Sequence, residues 1–367
     1  MNTITGPELA RRMSCGETFV LVDIRTMAEY QNWLLKGQTL SAINVPFYDA
    51  REREVNQSLM PQTACVVLVQ TDSPSAEKMA RLLADKGYEV ATLATRDVWT
   101  ELYTQATIVE SAAFTLTQFH RLATGCLSYV LVTAKQALVV DPTRHVNLYL
   151  DCVEREHARI THVIDTHVHG DHISGARALL RETSATYHVA HSELRQHELD
   201  VKVLSKGTLR IGAVELHTII LDTEGETQGN SLFEVNGRVL FSGNAIAVGE
   251  VGIPDLQGNA REWAEKLFNT VLRDIQYLSD ETLVLPAHFA AIQAVNSGGY
   301  VGALLGDLRL GAQAMAMNKA TTMSFSRHPG HFVSTLPKVS DQIRLINAGL
   351  GSLDGFNAAD LEDGARE

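Results

Sequence analysis

The most constraining feature of this chain is the run Asp165-Thr166-His167-Val168-His169-Gly170-Asp171-His172, which follows the apolar stretch 160–164. Side chains on extended backbone repeat every second residue. His167 and His169, two apart at a strand end, are therefore expected to point the same way and reach one cation. Asp171 and His172, a turn of loop later, face elsewhere and can serve a second position. Four metal-competent side chains within six residues point to an ion site rather than an incidental polar loop. The stretch Ser174-Gly175-Ala176-Arg177-Ala178-Leu179-Leu180 reads as a capped helix start, so the run lies in a loop between strand and helix.

Around this run the chain divides in two. Residues 1 to about 100 alternate valine-rich apolar runs (19–22 and 64–69) with a helical stripe over 75–86, stopped by Gly87. That order is a βαβ unit and predicts a small α/β domain. After residue 105 the texture becomes strand-rich: strands over 114–119, 129–132, 137–140 and 160–164, a helix over 147–157, then strands from His188 to Phe241. Turns fall at Lys206-Gly207, Ile211-Gly212 and Asn236-Gly237. Helices are expected at about 260–279 and 301–317. Two sheets with helices between and after them predict an αββα sandwich over 106–350, followed by a flexible acidic tail over 351–367.

Composition excludes some classes of partner. With 31 Lys and Arg against 43 Asp and Glu, the 367-residue chain carries a formal charge of −12, so neither nucleic acid nor an anionic membrane surface is expected to bind. No apolar run approaches the roughly 18 residues of a spanning helix. The start MNTITGPELARRM lacks the basic-then-apolar order of a secretory signal. Four cysteines in so long a chain make neither a disulfide framework nor a CxxC clip, and the expectation is a cytoplasmic protein.

The HxHxDH run resembles the signature of the metallo-β-lactamase fold. Cys126-Leu127-Ser128-Tyr129, Gly249 to Leu256, Leu285-Pro286-Ala287-His288, Gly302 to Arg309 and Ile343-Arg344-Leu345-Ile346-Asn347 narrow the resemblance. They are similar to the branch of persulfide dioxygenases and rhodanese-fused metallo-hydrolases, with glyoxalase II type thioesterases more distant. The first 105 residues resemble a rhodanese domain through Val22-Asp23-Ile24-Arg25, Glu29-Tyr30 and Ala42-Ile43-Asn44-Val45-Pro46. The resemblance places that family's persulfide-carrying cysteine at Gln70, in the loop Gln70-Thr71-Asp72-Ser73-Pro74-Ser75. A carboxamide carries no sulfane sulfur, Asp72 repels anions, and Pro74 removes an N–H from the cradle. The domain is expected to be inactive as a sulfurtransferase, and Cys65 is expected to be a small buried hydrophobe.

Carried onto this chain, the family's further metal positions fall on Glu226, in Thr223-Glu224-Gly225-Glu226-Thr227, on Asn244, in Ser242-Gly243-Asn244, and on His288. The family has histidine at the first position and aspartate at the second. The two changes leave the summed ligand charge unaltered. The resemblance implies either a triad of His167, Glu226 and Asn244 or two sets: His167, His169 and Glu226, and Asp171, His172 and His288. Two histidines with one carboxylate suit non-haem Fe(II), with Zn or Mn as alternatives. Asp171 is the expected proton carrier and Asp165 an orienter of one ligand imidazole. His162, His188, His191 and His197 are read as structural. An anchoring arginine of the family is replaced by Ile253.

Three functions stay open: a persulfide dioxygenase acting on a small thiol persulfide such as glutathione persulfide with O2, a metal-dependent thioester hydrolase, and an inactive binding or scaffold protein. The stretch 302–317 is an expected surface for a homo-oligomer.

Overall fold

The computed structural model describes residues 2–6, 8, 9, 12, 19–23, 42–44, 65–69, 74–93, 101–122, 124–189, 201–203, 207–220, 231–247, 250, 251, 275–289, 295–310 and 338–364. The chain separates into two compact units: residues 1–105 with 119–126 and 290–293, and the remainder. In the first, strands β1 (Asn2–Ile4), β2 (Phe19–Asp23), β3 (Ala42–Asn44), β4 (Cys65–Val69) and β5 (Val90–Leu93) form a parallel sheet in the order β1-β5-β4-β2-β3. Helix α1 (Pro74–Asp85) crosses from β4 to β5 and buries Met79, Ala80 and Leu83, the apolar stripe of its sequence. The expected α/β unit is thus present. Residues 70–73, where the sequence resemblance places a catalytic loop, lie outside the described residues.

A seven-stranded sheet follows. Its strands are β6 (Tyr103–Glu110), β7 (Thr115–Arg121), β8 (Cys126–Thr133), β9 (Gln136–Val140), β10 (Arg159–Asp165), β11 (Thr186–Val189) and β12 (Val201–Val203), in the order β12-β11-β10-β9-β8-β7-β6. Strands β9 to β12 are parallel neighbours, and α2 (Asn147–Arg155) and α3 (Ala176–Glu182) carry the crossovers. The parallel strands are buried on both faces, which their continuous apolar runs require.

A six-stranded sheet comprises β13 (Gly207–Ile211), β14 (Val214–Ile220), β15 (Ser231–Val235), β16 (Val239–Gly243), β19 (Leu283–Pro286) and β20 (Ala303–Leu304), in that order. β17 (Ile246–Ala247) and β18 (Glu250–Val251) pair separately. Asn236 (φ +50°) and Gly237 (φ +70°) turn β15 into β16, two left-handed residues whose twist matches a hairpin. Tyr129 of β8 meets Phe241 of β16 at 5.0 Å between ring centroids, so the two sheets face each other across an aromatic contact. The layered α/β sandwich matches expectation. The helix expected over 301–317 is replaced at its start by β20, with helix only over 305–310 among the described residues. The helix expected near 260–279 lies largely outside them. No helix among the described residues is long and apolar enough to cross a membrane.

The tail departs from the reading as frayed and solvated. Helix α4 (Lys338–Asn347) is followed by α5 (Ala358–Gly364), and both dock: Ile343, Ile346 and Leu361 pack with Ile173. Acidic composition misled because one acidic side chain, Glu362, is itself buried and paired with Arg144 at 3.2 Å.

Burial also sets a pH sensitivity. His120 of β7 is enclosed beside the Thr104 hydroxyl, and desolvation lowers its pKa from 6.5 to about 4. The folded state therefore keeps this ring neutral, and its contribution is whole above pH 6.5. It is lost as pH falls from 6.5 towards 4, where the unfolded chain takes up the proton first. His120→Gln is expected to remove about 3 kcal/mol of the acid destabilisation between pH 7 and 4, measured by denaturant unfolding of variant and parent across that range.

Candidate metal centre

The parallel strands deliver the site. The run 165–172 leaves the end of β10, Asp141 ends β9, and Asn244 and His288 leave β16 and β19, which pair in parallel at Gly243 and Pro286. Backbone bonds join Ser231 N–H to Thr166 O at 2.9 Å and Ala287 N–H to Gly243 O at 2.9 Å. The ends of both sheets thereby converge on one place. Gly243 has φ +55°, and a Cβ there would lie 2.7 Å from Thr166 Oγ1, so only glycine lets Asn244 approach this closely.

Asp141 organises the first half. Its Oδ1 accepts the Thr166 N–H at 2.7 Å, its Oδ2 accepts the Thr166 hydroxyl at 3.0 Å, and His169 Nε2 donates to Oδ1 at 3.1 Å. The Thr166 proton is committed to Asp141, so His167 Nδ1 donates to Thr166 Oγ1 at 2.9 Å. Burial holds the His167 pKa well below its ordinary value, with the neighbouring His169 adding to the effect, and the ring stays neutral. Its Nε2 is consequently a lone pair, and the Asn244 amide donates to it at 3.0 Å. His169 Nδ1 is buried and has no hydrogen-bond partner. It lies 3.8 Å from Asp171 Oδ1. A buried ring nitrogen without a partner costs free energy that a bound ligand could offset.

The same logic runs on through the second half. With its N–H committed to His167, Asn244 presents Oδ1 to His288 Nδ1, which donates at 2.7 Å. His288 Nε2 meets Asp171 Oδ2 at 2.7 Å, and His172 Nδ1 meets it at 2.9 Å. Burial alone would raise the Asp171 pKa, but the adjoining His172 and His288 outweigh it and hold the carboxyl well below the usual range. Facing an ionised Asp171, both nitrogens of His288 donate. Binding a cation at Nε2 must displace that proton.

Donor atoms of Asp171, His172 and His288 lie within 4.8 Å of one another, as do those of His167, His169 and Asp171. Six of the seven residues singled out as metal positions therefore meet; Glu226 lies outside the described residues. Asp171 does not belong to one half alone, because its carboxylate reaches donors on both sides. Asn244 meets His167 through its N–H rather than its carbonyl oxygen. Asp165 makes no hydrogen bond to a ligand imidazole. Its Oδ2 accepts from Ser174 Oγ and Tyr187 OH, each at 2.7 Å, while His169 Nε2 stands 3.9 Å from Oδ1. Asp141 makes that bond, an acidic residue just before Pro142 that passed as the end of a strand. Its place between an apolar run and Pro142 was the one signal in the sequence, and the structure gives it a left-handed backbone (φ +50°). His162 and His188 stack on each other at 5.3 Å and stand apart from both donor sets.

Residues 122–288 match the family described as the Metallo-beta-lactamase superfamily. A human protein named persulfide dioxygenase ETHE1, mitochondrial, is 27% identical over 161 residues, covering 42% of this chain and 59% of that protein. A hydroxyacylglutathione hydrolase of Nitrosococcus oceani is 29% identical over 159 residues, covering 42% of this chain and 57% of its own length. The matched region thus spans less than two thirds of these curated relatives. A solved metallo-beta-lactamase structure from Staphylococcus aureus subsp. aureus COL superposes with a TM-score of 0.55 at 23% identity, covering 66% of this chain and 74% of that one. It shares the fold.

Asp141→Asn leaves three donors competing for one carbonyl oxygen. It is expected to weaken Co(II) binding by about 10- to 100-fold in protein that remains folded, measured by chelator competition against the parent. Unchanged affinity would remove Asp141 from its orienting role.

Proposed function

From the premise that residues 122–288 form a metallo-β-lactamase superfamily domain, we propose that Asp171, His172 and His288 hold one catalytic Fe(II) for oxidation of a small thiol persulfide by O2. The observation that carries this reading is the convergence of two imidazoles and one carboxylate held well below its usual pKa range. That donor set suits non-haem iron. Asn244 supports a single ion: where the resemblance leads to a bridging carboxylate, this chain has a neutral amide engaged by His167 on one side and His288 on the other. The human relative named a persulfide dioxygenase agrees with the reading.

When bound, the iron supplies the redox chemistry that lets O2 react with a persulfide. The chain supplies the rest. Asp171 balances part of the cation's charge and, with its side chain about one-third exposed (32%), can pass protons between the site and solvent. His167, His169 and His172 are buried, so they wall the inner side against water. Asn244 keeps His167 oriented through its N–H. The parallel sheet at the N-terminus fits a rhodanese-derived unit whose catalytic position, Gln70, carries no sulfur.

One observation favours a second reading. Asp171 reaches both donor groups, so its carboxylate could bridge two Zn or Mn ions and serve hydrolysis of a thioester. The hydrolase relative is consistent with that use.

Elemental analysis of purified protein, followed by O2 uptake with glutathione persulfide, divides the readings. The expected result is about one iron per chain and O2 consumption that disappears in His172→Ala. Two zinc or manganese ions with cleavage of a glutathione thioester would establish the hydrolase instead. Less than about 0.1 ion per chain would discard both and leave a binding protein. Asn244→Asp is expected to raise metal affinity about tenfold by placing a negative charge at the ion, read by chelator competition.

A further inference from the structure

Loop 166–175 carries four of the ligand residues, yet outside one isolated bridge, Thr143 with Ser174, it belongs to no sheet or helix. Its buried backbone groups need partners from elsewhere, and those of His169, His172, Ile173 and Ser174 find them on the C-terminal helices. Asn347, the last residue of α4, donates through Nδ2 to the carbonyl oxygens of His169 at 2.8 Å and His172 at 2.9 Å. Its Oδ1 accepts the Ser174 N–H at 2.9 Å. Both protons of this carboxamide are thus committed to the ligand loop. Glu362 of α5 accepts the Ile173 N–H at 3.0 Å, while its other oxygen takes Arg144 Nε at 3.2 Å. Ile173 is enclosed by Ile343, Ile346 and Leu361 from the same two helices. Gly170 lies under the Arg344 guanidinium, which a Cβ would approach to 2.9 Å.

The contacts address five consecutive or nearly consecutive loop residues, His169, Gly170, His172, Ile173 and Ser174. None of the contacting side chains is in either donor set. Two carbonyls three residues apart, drawn to one NH2 group, fix the backbone turn between His169 and His172. That turn decides whether the two imidazoles and the Asp171 carboxylate face a common point. A ligand held within a few tenths of an ångström binds an ion more tightly than the same ligand on a free loop, because less ordering entropy is lost on binding.

We propose that α4 and α5 act as a clamp on the ligand loop, in which Asn347 and Glu362 are positioning residues that set metal affinity without touching the ion. The proposal rests on the metal reading above for its affinity consequence. Its structural half, the ordering of the loop, stands without an ion.

The test uses the full chain with Asn347→Asp, which keeps the acceptor for Ser174 but removes both donors, and Glu362→Ala beside Glu362→Gln, which keeps the acceptor for Ile173. Leu216→Ala, a core truncation on β14, serves as a control for general destabilisation. Two readouts are taken on folded protein: amide hydrogen exchange over residues 169–174 without metal, and Co(II) affinity by chelator competition. Asn347→Asp and Glu362→Ala are expected to speed exchange about tenfold or more and weaken Co(II) about 10- to 100-fold. Glu362→Gln and Leu216→Ala are expected to stay near the parent in both. Parent-like exchange and affinity in Asn347→Asp would overturn the clamp. If the parent binds no Co(II), the metal reading fails, and exchange alone decides the clamp.

Discussion

One carboxylate sets the polarity of the whole centre. Asp141 has two oxygens and takes three hydrogens, two from Thr166 and one from His169. Every later assignment follows from that saturation. The threonine hydroxyl has a single proton and gives it to Asp141, so His167 must donate to the threonine, accept from Asn244, and leave the Asn244 carbonyl oxygen for His288. Asp171 then receives hydrogen bonds from His288 and His172. A chain of donors fixed at a buried end has no second arrangement of comparable energy, because reversing one bond leaves an unpaired buried group. The outcome is a row of imidazoles and acidic neighbours held in one arrangement.

The placement of Asn244 gives this chain its character. An aspartate there would add charge between the two halves and favour a second ion. An amide adds none, and it ties the halves together by bonds of opposite sense, donating to one histidine and accepting from another. The remaining carboxylate near both donor groups is Asp171, with one edge towards solvent. Asp171 thus supplies a carboxylate on the outer side of the cluster, beside His172 and His288, while Asp141 supplies one on the inner side, beside His169.

Much of this was legible in the residue order. The HxHxDH run, the apolar strands on either side of it and the Asn236-Gly237 turn follow from local periodicity and turn chemistry, which depend on neighbours along the chain. The motif also led to His288 and Asn244, far along the sequence. What stayed hidden was the support. Asp141 lies 25 residues before the threonine it binds, and Asn347 lies 178 residues from the carbonyl it holds. Neither spacing has a period. The acidic tail was read as solvated because charge usually seeks water. A buried carboxylate that accepts a backbone N–H and pairs with an arginine escapes that rule. Asp165 misled in the opposite direction: adjacent in sequence to the ligands, it bonds Ser174 and Tyr187 instead.

The centre thus combines a motif that local sequence specifies with a frame assembled from three distant segments. Anomalous diffraction from crystals of the full chain grown with Co(II) tests the account most directly. It predicts one strong peak per chain, within bonding distance of Asp171, His172 and His288, with Asn244 still bonded to His167. A peak held by His167 and His169 away from His288, or no peak at saturating cobalt, would contradict it.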